Sequence, residues 1–104
     1  MYLVVFRNAK RGDIDDAAYA ADAAQMEALA AAQPGYLSFK TYTAADGEVI
    51  ALSEWTDRTA ARAWGREAEH LAMQRKARQA YYASYTLFTC ENPRIHHFES
   101  DMHT

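Results

Sequence analysis

The stretch that decides the fold and the site, residues 63–85, reads AWGREAEHLAMQRKARQAYYASY. Helical spacing predicts a helix here, followed by a strand that begins near residue 82. His70, Gln74 and Arg78 recur every four residues, so they form one polar row beside Trp64. A helix that only covers a sheet would carry Leu and Ala at these positions. An apolar wall with a few hydrogen-bonding groups indicates a pocket for a small aromatic molecule.

Length and composition indicate one globular domain of 104 residues. Half of the residues are hydrophobic and 24% are charged, and the net charge of −3 argues against a nucleic-acid-binding surface. No apolar run approaches the ~20 residues that span a bilayer. The N-terminal run has the pattern of a strand and lacks the features of a signal peptide. Cys90 is the only cysteine, which excludes an internal disulfide. We therefore predict a cytoplasmic protein.

The first half of the chain predicts a strand, a helix and a second strand. Residues 2–8 alternate, with Phe6 and Asn8 on one face. Asp13 is predicted to cap an Ala-rich amphipathic helix, which ends at Pro34-Gly35. In the second strand, about residues 36–43, alternation places Leu37 and Phe39 on one face and Tyr36 and Tyr42 on the other.

The second half predicts a hairpin, a helical region and a last strand. The turn Ala45-Asp46-Gly47 leads into a strand at about residues 48–56. A helical region capped by Thr56 or Asp57 then runs to about residue 81, with a bend near Gly65 or His70, and a strand covers about 82–91. The order β-α-β-β-α-β predicts a ferredoxin-like α+β domain over residues 1–98, with a tail at 99–104.

Both faces of the predicted sheet are apolar or aromatic. Two helices can cover only one face of a four-stranded sheet, and an exposed second face would be expected to turn polar. Leaving such a surface in water would cost several kcal/mol at roughly 25 cal/mol per Å². We therefore predict a homodimer in which two sheets pack together as a barrel.

The residues at the end of the third strand, in the second helical region and at the start of the fourth strand resemble the antibiotic biosynthesis monooxygenase family. The resemblance is to the branch that includes haem-degrading monooxygenase-like proteins, and it covers nearly the whole chain up to about Phe98. The matching residues are Ser53 to Trp55, Trp64, Glu69-His70, Gln74, Arg78, Tyr82 and Tyr85, with Met26 to Leu29 and Gln33 to Tyr36 upstream.

This resemblance implies a dimeric α+β barrel with a pocket between the helices and the sheet of each subunit. Family members of this kind oxidise phenolic or quinol substrates with molecular oxygen and need neither metal nor flavin. Others bind haem and degrade it, and many have no established activity, so the family indicates the fold better than the reaction.

Two positions depart from the family pattern. The cofactor-free enzymes commonly place an Asn one helical turn before the pocket Trp, and that place holds Ala60. Haem-degrading relatives place a ligand His about ten residues after the Trp, and that place holds Gln74, whose side chain is a poor haem ligand. Asn8 could match the Asn that those relatives place near haem. The sequence therefore predicts no cofactor, with haem as a disfavoured alternative.

The predicted function is cofactor-independent oxygenation of a small phenolic, quinol or polyketide-like aromatic. The alternatives are a non-catalytic dimer that binds a small molecule in stress response, and a haem-binding or haem-degrading monooxygenase. His70 is the candidate base, with Arg66 expected to lower its pKa. The predicted catalytic residues are His70, Trp64 and Asn8, and the predicted substrate-binding residues are Phe6, Gln74, Arg78, Tyr82 and Tyr85.

Each candidate also has a structural interpretation. Trp64 could belong to the core, His70 could bind the backbone at a helix break, and Arg78 could pair with Glu69 or a tail carboxylate. Cys90 is predicted to be a small strand residue. A metal site at the tail is disfavoured, and the acidic side chains of the first helix are predicted to lie on a solvated face. The tail residues concerned are His96, His97, Asp101 and His103, and the acidic residues are Asp13, Asp15, Asp16 and Asp22.

Overall fold

The computed structural model describes residues 1–101, and of Ala68 the backbone alone. The chain forms four strands and three helices, which confirms the predicted α+β fold of the ferredoxin-like type. In chain order they are β1 (Tyr2–Lys10), α1 (Asp16–Ala31), β2 (Tyr36–Thr43), β3 (Val49–Trp55), α2 (Arg58–Arg66), α3 (Ala68–Ala80) and β4 (Tyr82–Glu91).

The strands form one sheet in the order β2-β3-β1-β4, and every neighbouring pair is antiparallel. Phe6 of β1 lies between Ala51 of β3 and Leu87 of β4. Because side chains alternate across a strand, these three residues share the face that the helices cover, which we call the inner face. The predicted alternation in β1 is therefore confirmed.

The alternation predicted for β2 is wrong at its first residues. Tyr36 pairs with Trp55 and Phe39 pairs with Ser53, so three residue steps on β2 match two on β3. Leu37 is the extra residue of this bulge. Tyr36 therefore joins Phe39 on the inner face, with its ring edge-on to Trp55 at 6.0 Å between centroids.

The first helix begins two residues later than predicted. Asp15, not Asp13, is the N-cap, and its carboxylate accepts a hydrogen bond of 3.0 Å from the backbone N–H of Ala18. After α1, Gly35 adopts a φ of +82°, a conformation that costs glycine little, and its carbonyl accepts from the N–H of Thr56. This turn brings β2 back beside β3.

The second helical region is two helices, not one bent helix. Asp57 caps α2 as predicted, with its carboxylate accepting from Ala60 N–H at 2.8 Å. Glu67 is extended, with a φ of −61° and a ψ of 135°, so it ends α2 and caps α3. Its carboxylate accepts from the backbone N–H of His70 at 2.9 Å. This break lies between Gly65 and His70, the two positions near which a bend was predicted.

The aromatic core lies at the Tyr2 end of β1. Trp55 is 0% exposed, and its indole stacks on Trp64 at 6.0 Å between ring centroids. The Trp55 indole N–H donates to the hydroxyl of Ser53 at 3.0 Å, which satisfies the buried donor. Ala30 of α1 closes this cluster.

The chain after β4 has no regular secondary structure up to residue 101. Asn92 ends the strand with a φ of +52°, and its backbone N–H donates to the Met1 carbonyl. Ile95 and Phe98 are both strongly exposed, Phe98 by 81%. None of the helices in residues 1–101 is both long enough and apolar enough to cross a bilayer.

Candidate functional site

A cavity of about 620 Å³, partly open to solvent, lies between the inner face of the sheet and the helices. It exists because small side chains face each other across this space, so neither layer fills it. The small residues in its wall are Ala51 and Ser53 of β3, Ala20, Ala23 and Ala24 of α1, Ala61 of α2 and Ala77 of α3.

All eight residues predicted for the site line this one cavity. The sheet contributes two of them from β1 and two from β4, and the helices contribute the rest. They are Phe6, Asn8, Trp64, His70, Gln74, Arg78, Tyr82 and Tyr85. Their roles in catalysis or binding stay predictions.

The break at Glu67 turns the His70 side chain onto Trp64. The imidazole and indole rings are nearly parallel, at 11°, with 3.9 Å between their centroids. His70 Nδ1 lies 2.8 Å from the Trp64 carbonyl oxygen. The helix-break interpretation of His70 is therefore confirmed, and the same ring is part of the cavity wall.

Two contacts agree on one neutral tautomer of His70. A carbonyl oxygen can only accept, so Nδ1 carries the hydrogen in its contact with Trp64. The side-chain nitrogen of Gln74 lies 3.3 Å from His70 Nε2 and can only donate, so Nε2 carries the lone pair. The imidazole therefore presents its basic nitrogen to Gln74 and the cavity.

Burial lowers the pKa of His70 below its usual value of 6.5. The hydrogen bond to the Trp64 carbonyl and the negative charge of Glu67 raise the pKa, but their effect is smaller than that of burial. The lowering agrees with the prediction, whereas the predicted cause, the guanidinium of Arg66, is wrong. Loss of hydration keeps the ring neutral.

Gln74 and Arg78 continue the row from His70 along α3, as predicted. Within residues 1–101, Arg78 contacts neither Glu69 nor a tail carboxylate. Its Nε donates to the Tyr85 hydroxyl at 3.0 Å, and the guanidinium lies 5.9 Å from the centroid of the same ring. The arginine therefore fixes a tyrosine of the cavity wall.

Three aromatic rings form the wall of the cavity between β1 and β4. The ring centroid of Phe6 lies 5.3 Å from that of Tyr82 and 5.1 Å from that of Tyr85, and the two tyrosines are 5.9 Å apart. Burial raises the pKa of Tyr82 to about 12, with smaller contributions from Tyr19 and Tyr85. The Tyr82 phenol therefore stays protonated at neutral pH.

A polar cluster between α1 and α3 was missed at the sequence level. The Tyr81 hydroxyl donates to Asp22 at 2.5 Å, and Lys76 Nζ lies 2.7 Å from the same carboxylate oxygen. Hydrogen bonds from Lys76 and then from Tyr81 lower the pKa of Asp22. The prediction that Asp22 lies on a solvated face is wrong. Asp22 lies three residues after Tyr19, so both side chains lie on the same face of α1, and both line the cavity. This spacing is the signal in the sequence that could have placed Asp22 at the site.

Asn8 is the least satisfied polar side chain of the cavity wall. It is only 3% exposed, and within residues 1–101 its Oδ1 has no hydrogen-bond partner. Ala60, the other departure noted from the sequence, does not line the cavity, because it packs beside Gly35.

The residues present fit haem poorly. Gln74 offers an amide where an iron ligand would be needed. His70 has both ring nitrogens engaged, with Trp64 and with Gln74, and its face is covered by the indole. In the described part of the chain, no group of three or more His, Cys, Asp or Glu side chains could hold another metal. His103, part of the disfavoured tail site, lies outside the described residues.

Comparisons with known proteins agree with the fold. The family model for antibiotic biosynthesis monooxygenase matches residues 1–76. The uncharacterized protein YqjZ of Bacillus subtilis (strain 168) is 33% identical over 100 residues, covering 96% of this chain and 86% of YqjZ.

Solved structures show the same fold at lower identity. A variant of SnoaB, a cofactor-independent oxygenase from Streptomyces nogalater, superposes with a TM-score of 0.76 at 20% identity, over 90% of this chain and 94% of that one. Rv0793 from Mycobacterium tuberculosis gives a TM-score of 0.78 at 20% identity, over 90% of this chain and 96% of Rv0793. Together with the family match over most of the length, these findings mean that the chain belongs to the antibiotic biosynthesis monooxygenase family.

Proposed function

We propose that this protein is a cofactor-independent monooxygenase that oxidises a small phenolic, quinol or polyketide-like aromatic with molecular oxygen. The observation that carries the proposal is the neutral His70, stacked on Trp64 with its basic Nε2 at the cavity wall. A phenol needs a base to become electron-rich enough to react with oxygen, and this nitrogen is placed to take its proton.

The proposed mechanism begins when a phenol replaces Gln74 as the partner of His70 Nε2. The hydrogen bond from Nδ1 to the Trp64 carbonyl holds the ring in place and stabilises the imidazolium that forms. Because burial keeps the pKa of His70 low, the base is free at neutral pH. Gln74, one turn away, can then donate its amide hydrogen to the phenolate oxygen.

The phenolate then supplies the electrons for the reduction of oxygen. One oxygen atom enters the substrate and the other leaves as water, as when a hydroquinone becomes a hydroxyquinone. All four electrons come from the substrate, so no external reductant is needed. Trp64 would hold the reacting ring, while Phe6, Tyr82 and Tyr85 keep water away from the reactive intermediate.

Non-catalytic binding in the same cavity is the second candidate function. The observation that favours it is the 3.3 Å contact between Gln74 and His70 Nε2, which occupies the nitrogen that a base would use. A stress-response binder of this kind would hold an aromatic ligand equally well with or without His70. Haem degradation is the third candidate, and a Soret band that appears on titration with hemin would support it.

We also propose that the active protein is a cytoplasmic homodimer. The face of the sheet opposite the inner face, which we call the outer face, carries an apolar row formed by Leu52, Val5 and Phe88. Phe88 is 47% exposed in the single chain. A second copy would cover this row with an identical one, and would leave the cavity of each subunit separate.

The test is oxygen uptake by metal-free protein with a panel of hydroquinones and fused-ring phenols. We expect turnover by the wild type and a loss of ~10²- to 10⁴-fold in His70→Asn, the usual contribution of a general base. His96→Asn is the matched control, because it makes the same change on the exposed tail. Equal ligand binding by both variants without oxygen uptake by any protein would favour the non-catalytic candidate.

A further inference from the structure

Three aromatic rings in sequence lead from the cavity wall to the edge of the sheet. Trp64 lines the cavity, and its indole stacks on that of Trp55 with 6.0 Å between ring centroids. Trp55 in turn meets the ring of Tyr36 edge-on, again at 6.0 Å. Neither Trp55 nor Tyr36 lines the cavity, and Tyr36 lies on the edge strand β2. These three residues, which we call the ring series, therefore connect the site to another surface of the protein.

The spacing of the ring series is that of aromatic side chains in direct contact, whose centroids lie about 4.5–7 Å apart. Packing accounts for the burial of the two indoles, but aliphatic side chains could fill the same volume. An electron passes readily between two π systems in contact, whereas a layer of aliphatic side chains between them slows its transfer. The ring series therefore has the arrangement of a path for single electrons.

The surroundings of the two indoles favour a positive charge that moves on. An indole that has lost an electron is a cation, and the charge stays in place if a base takes its N–H proton. The Trp55 N–H donates to the hydroxyl of Ser53 at 3.0 Å, and a neutral hydroxyl is too weak a base to keep this proton. His70, stacked on Trp64, is neutral because burial lowers its pKa, so it adds no opposing charge.

Tyr36 is the residue at which such a charge would end. It is only partly buried, and its hydroxyl is not among the buried groups that lack a partner within residues 1–101. A phenol that loses an electron becomes strongly acidic and releases its proton to water. The neutral tyrosyl radical that remains is more stable than an indole cation, and it lies where a dissolved reductant can reach it.

We propose that Trp64, Trp55 and Tyr36 form a relay that removes one-electron oxidants from the cavity. A peroxyl radical of an aromatic ligand takes one electron from Trp64 and one proton from water, and becomes a hydroperoxide. Trp64 regains its electron from Trp55, and Trp55 from Tyr36, which releases its proton to water. A dissolved one-electron donor such as ascorbate then returns the electron to Tyr36, and water returns the proton.

This relay goes beyond the proposed function, because it acts on any oxidant of this class whether or not the protein turns over a substrate. Pulse radiolysis in azide solution tests it without a ligand. The azidyl radical oxidises tryptophan in preference to tyrosine, and both tryptophans of the chain belong to the ring series. In the wild type we expect the tryptophan radical to decay as a tyrosyl radical appears, at one first-order rate that does not depend on protein concentration.

In Tyr36→Phe this first-order phase should be lost, and the tryptophan radical should persist until molecules react with one another. The substitution keeps the ring in the core, and circular dichroism checks the fold. Tyr42→Phe is the matched control, because it makes the same change at an exposed tyrosine of β2 on the outer face, and it should keep the phase. Absence of the phase from the wild type overturns the inference. An unchanged rate in Tyr36→Phe does so as well, since another tyrosine would then accept the charge.

Peptide mapping after exposure to a peroxyl-radical generator supplies a readout that a packing role would not change. At one fixed concentration of ascorbate, the peptides of Trp55 and Trp64 should be more oxidised in Tyr36→Phe than in the wild type, because the two indoles are buried and ascorbate cannot reach them. Equal oxidation in both proteins contradicts the relay.

Oxygen uptake with phenols is measured separately, so that the two proposals can fail independently. A protein that shows the relay without turnover contradicts the proposed function alone. A protein that turns over a phenol but lacks the first-order phase contradicts this inference alone.

Discussion

His70 combines two interactions that would usually be separate. Its Nδ1–H anchors α3 to the last turn of α2 through the Trp64 carbonyl, while Nε2 stays basic at the cavity. The backbone contact could have been predicted only with the break at Glu67, because in one continuous helix His70 and the Trp64 carbonyl would be six residues apart on different faces. The sequence therefore placed the residue in the site but not its partner.

The lowered pKa of His70 predicts a pH dependence of stability. Above about pH 6.5 the imidazole is neutral in both the folded and the unfolded chain, so it contributes no pH dependence. As the pH falls below that value, the unfolded chain takes up the proton first and the free energy of unfolding decreases, until the pH reaches the lower pKa of the folded state.

Urea unfolding between about pH 7.5 and about pH 5.5 measures this effect. The wild type should lose more stability on acidification than His70→Asn, which has no imidazole to protonate at this position. His96→Asn should retain the wild-type slope, because His96 is exposed. Equal slopes in the wild type and His70→Asn would mean that the pKa of His70 is the same in both states.

At the level of helices and strands, the periodicity of the sequence predicted every strand and the helical regions. It did not predict where these elements become irregular. The bulge at Leu37 shifts the side chains of β2 by one residue, and the break at Glu67 lies between the two positions at which a bend was predicted. Both are set by tertiary packing, since Tyr36 meets Trp55 and His70 meets Trp64 only because of them. The site thus depends on features that hydrophobic patterns do not encode.

The three glycines Gly35, Gly47 and Gly65 form a series that separates backbone strain from steric overlap. Gly47→Ala should cost about 1–2 kcal/mol, because φ is +92° but the new methyl group meets open space. Gly35→Ala should cost about 2–5 kcal/mol, because a φ of +82° is combined with overlap against the Ala60 methyl group and a distance of 2.7 Å to the Thr56 hydroxyl.

Gly65→Ala is the control in the same series, because this substitution is expected to stabilise the protein. Gly65 lies within α2 at a negative φ with nothing near its Cβ position, so Ala should stabilise the protein by about 0.5–1 kcal/mol. Urea denaturation of the three variants gives all three values. Equal losses for Gly35→Ala and Gly47→Ala would show that the α1–β2 turn yields to the extra methyl group.

For the whole molecule, an Ala-rich helix packed over small strand residues explains why the protein is hollow. The alanines of α1 were interpreted from the sequence as an ordinary amphipathic face, and the aromatic residues alone indicated a pocket. The structure shows that the aromatic core occupies one end of the helix–sheet interface, around Trp55 and Trp64. Beside this core, small side chains leave the volume that the site residues surround. The pocket could be predicted from its aromatic residues, but the alanines that leave it unfilled were not identified as its cause.

The outer face provides the prediction for the whole molecule, which concerns assembly. Across it, Leu52 and Val5 are strand partners, and Val5 is also paired with Phe88, so the row crosses three strands without a charge. If two copies meet on this row, a carboxylate at Val5, its middle residue, would be buried against an apolar surface, which is strongly unfavourable. Val5→Glu should therefore be a folded monomer where the wild type is a dimer.

Sedimentation velocity measures the mass of both proteins, and circular dichroism checks that the variant is folded. Leu87→Glu is the matched control, because it introduces the same carboxylate at an exposed position on the inner face of β4 and should leave the dimer intact. A monomeric wild type, or a dimer that survives Val5→Glu, would mean that this row does not form the interface between two copies. Because residues of one chain line the cavity, the dissociated variant should still bind a fused-ring phenol, and its affinity tests whether assembly and the site are independent.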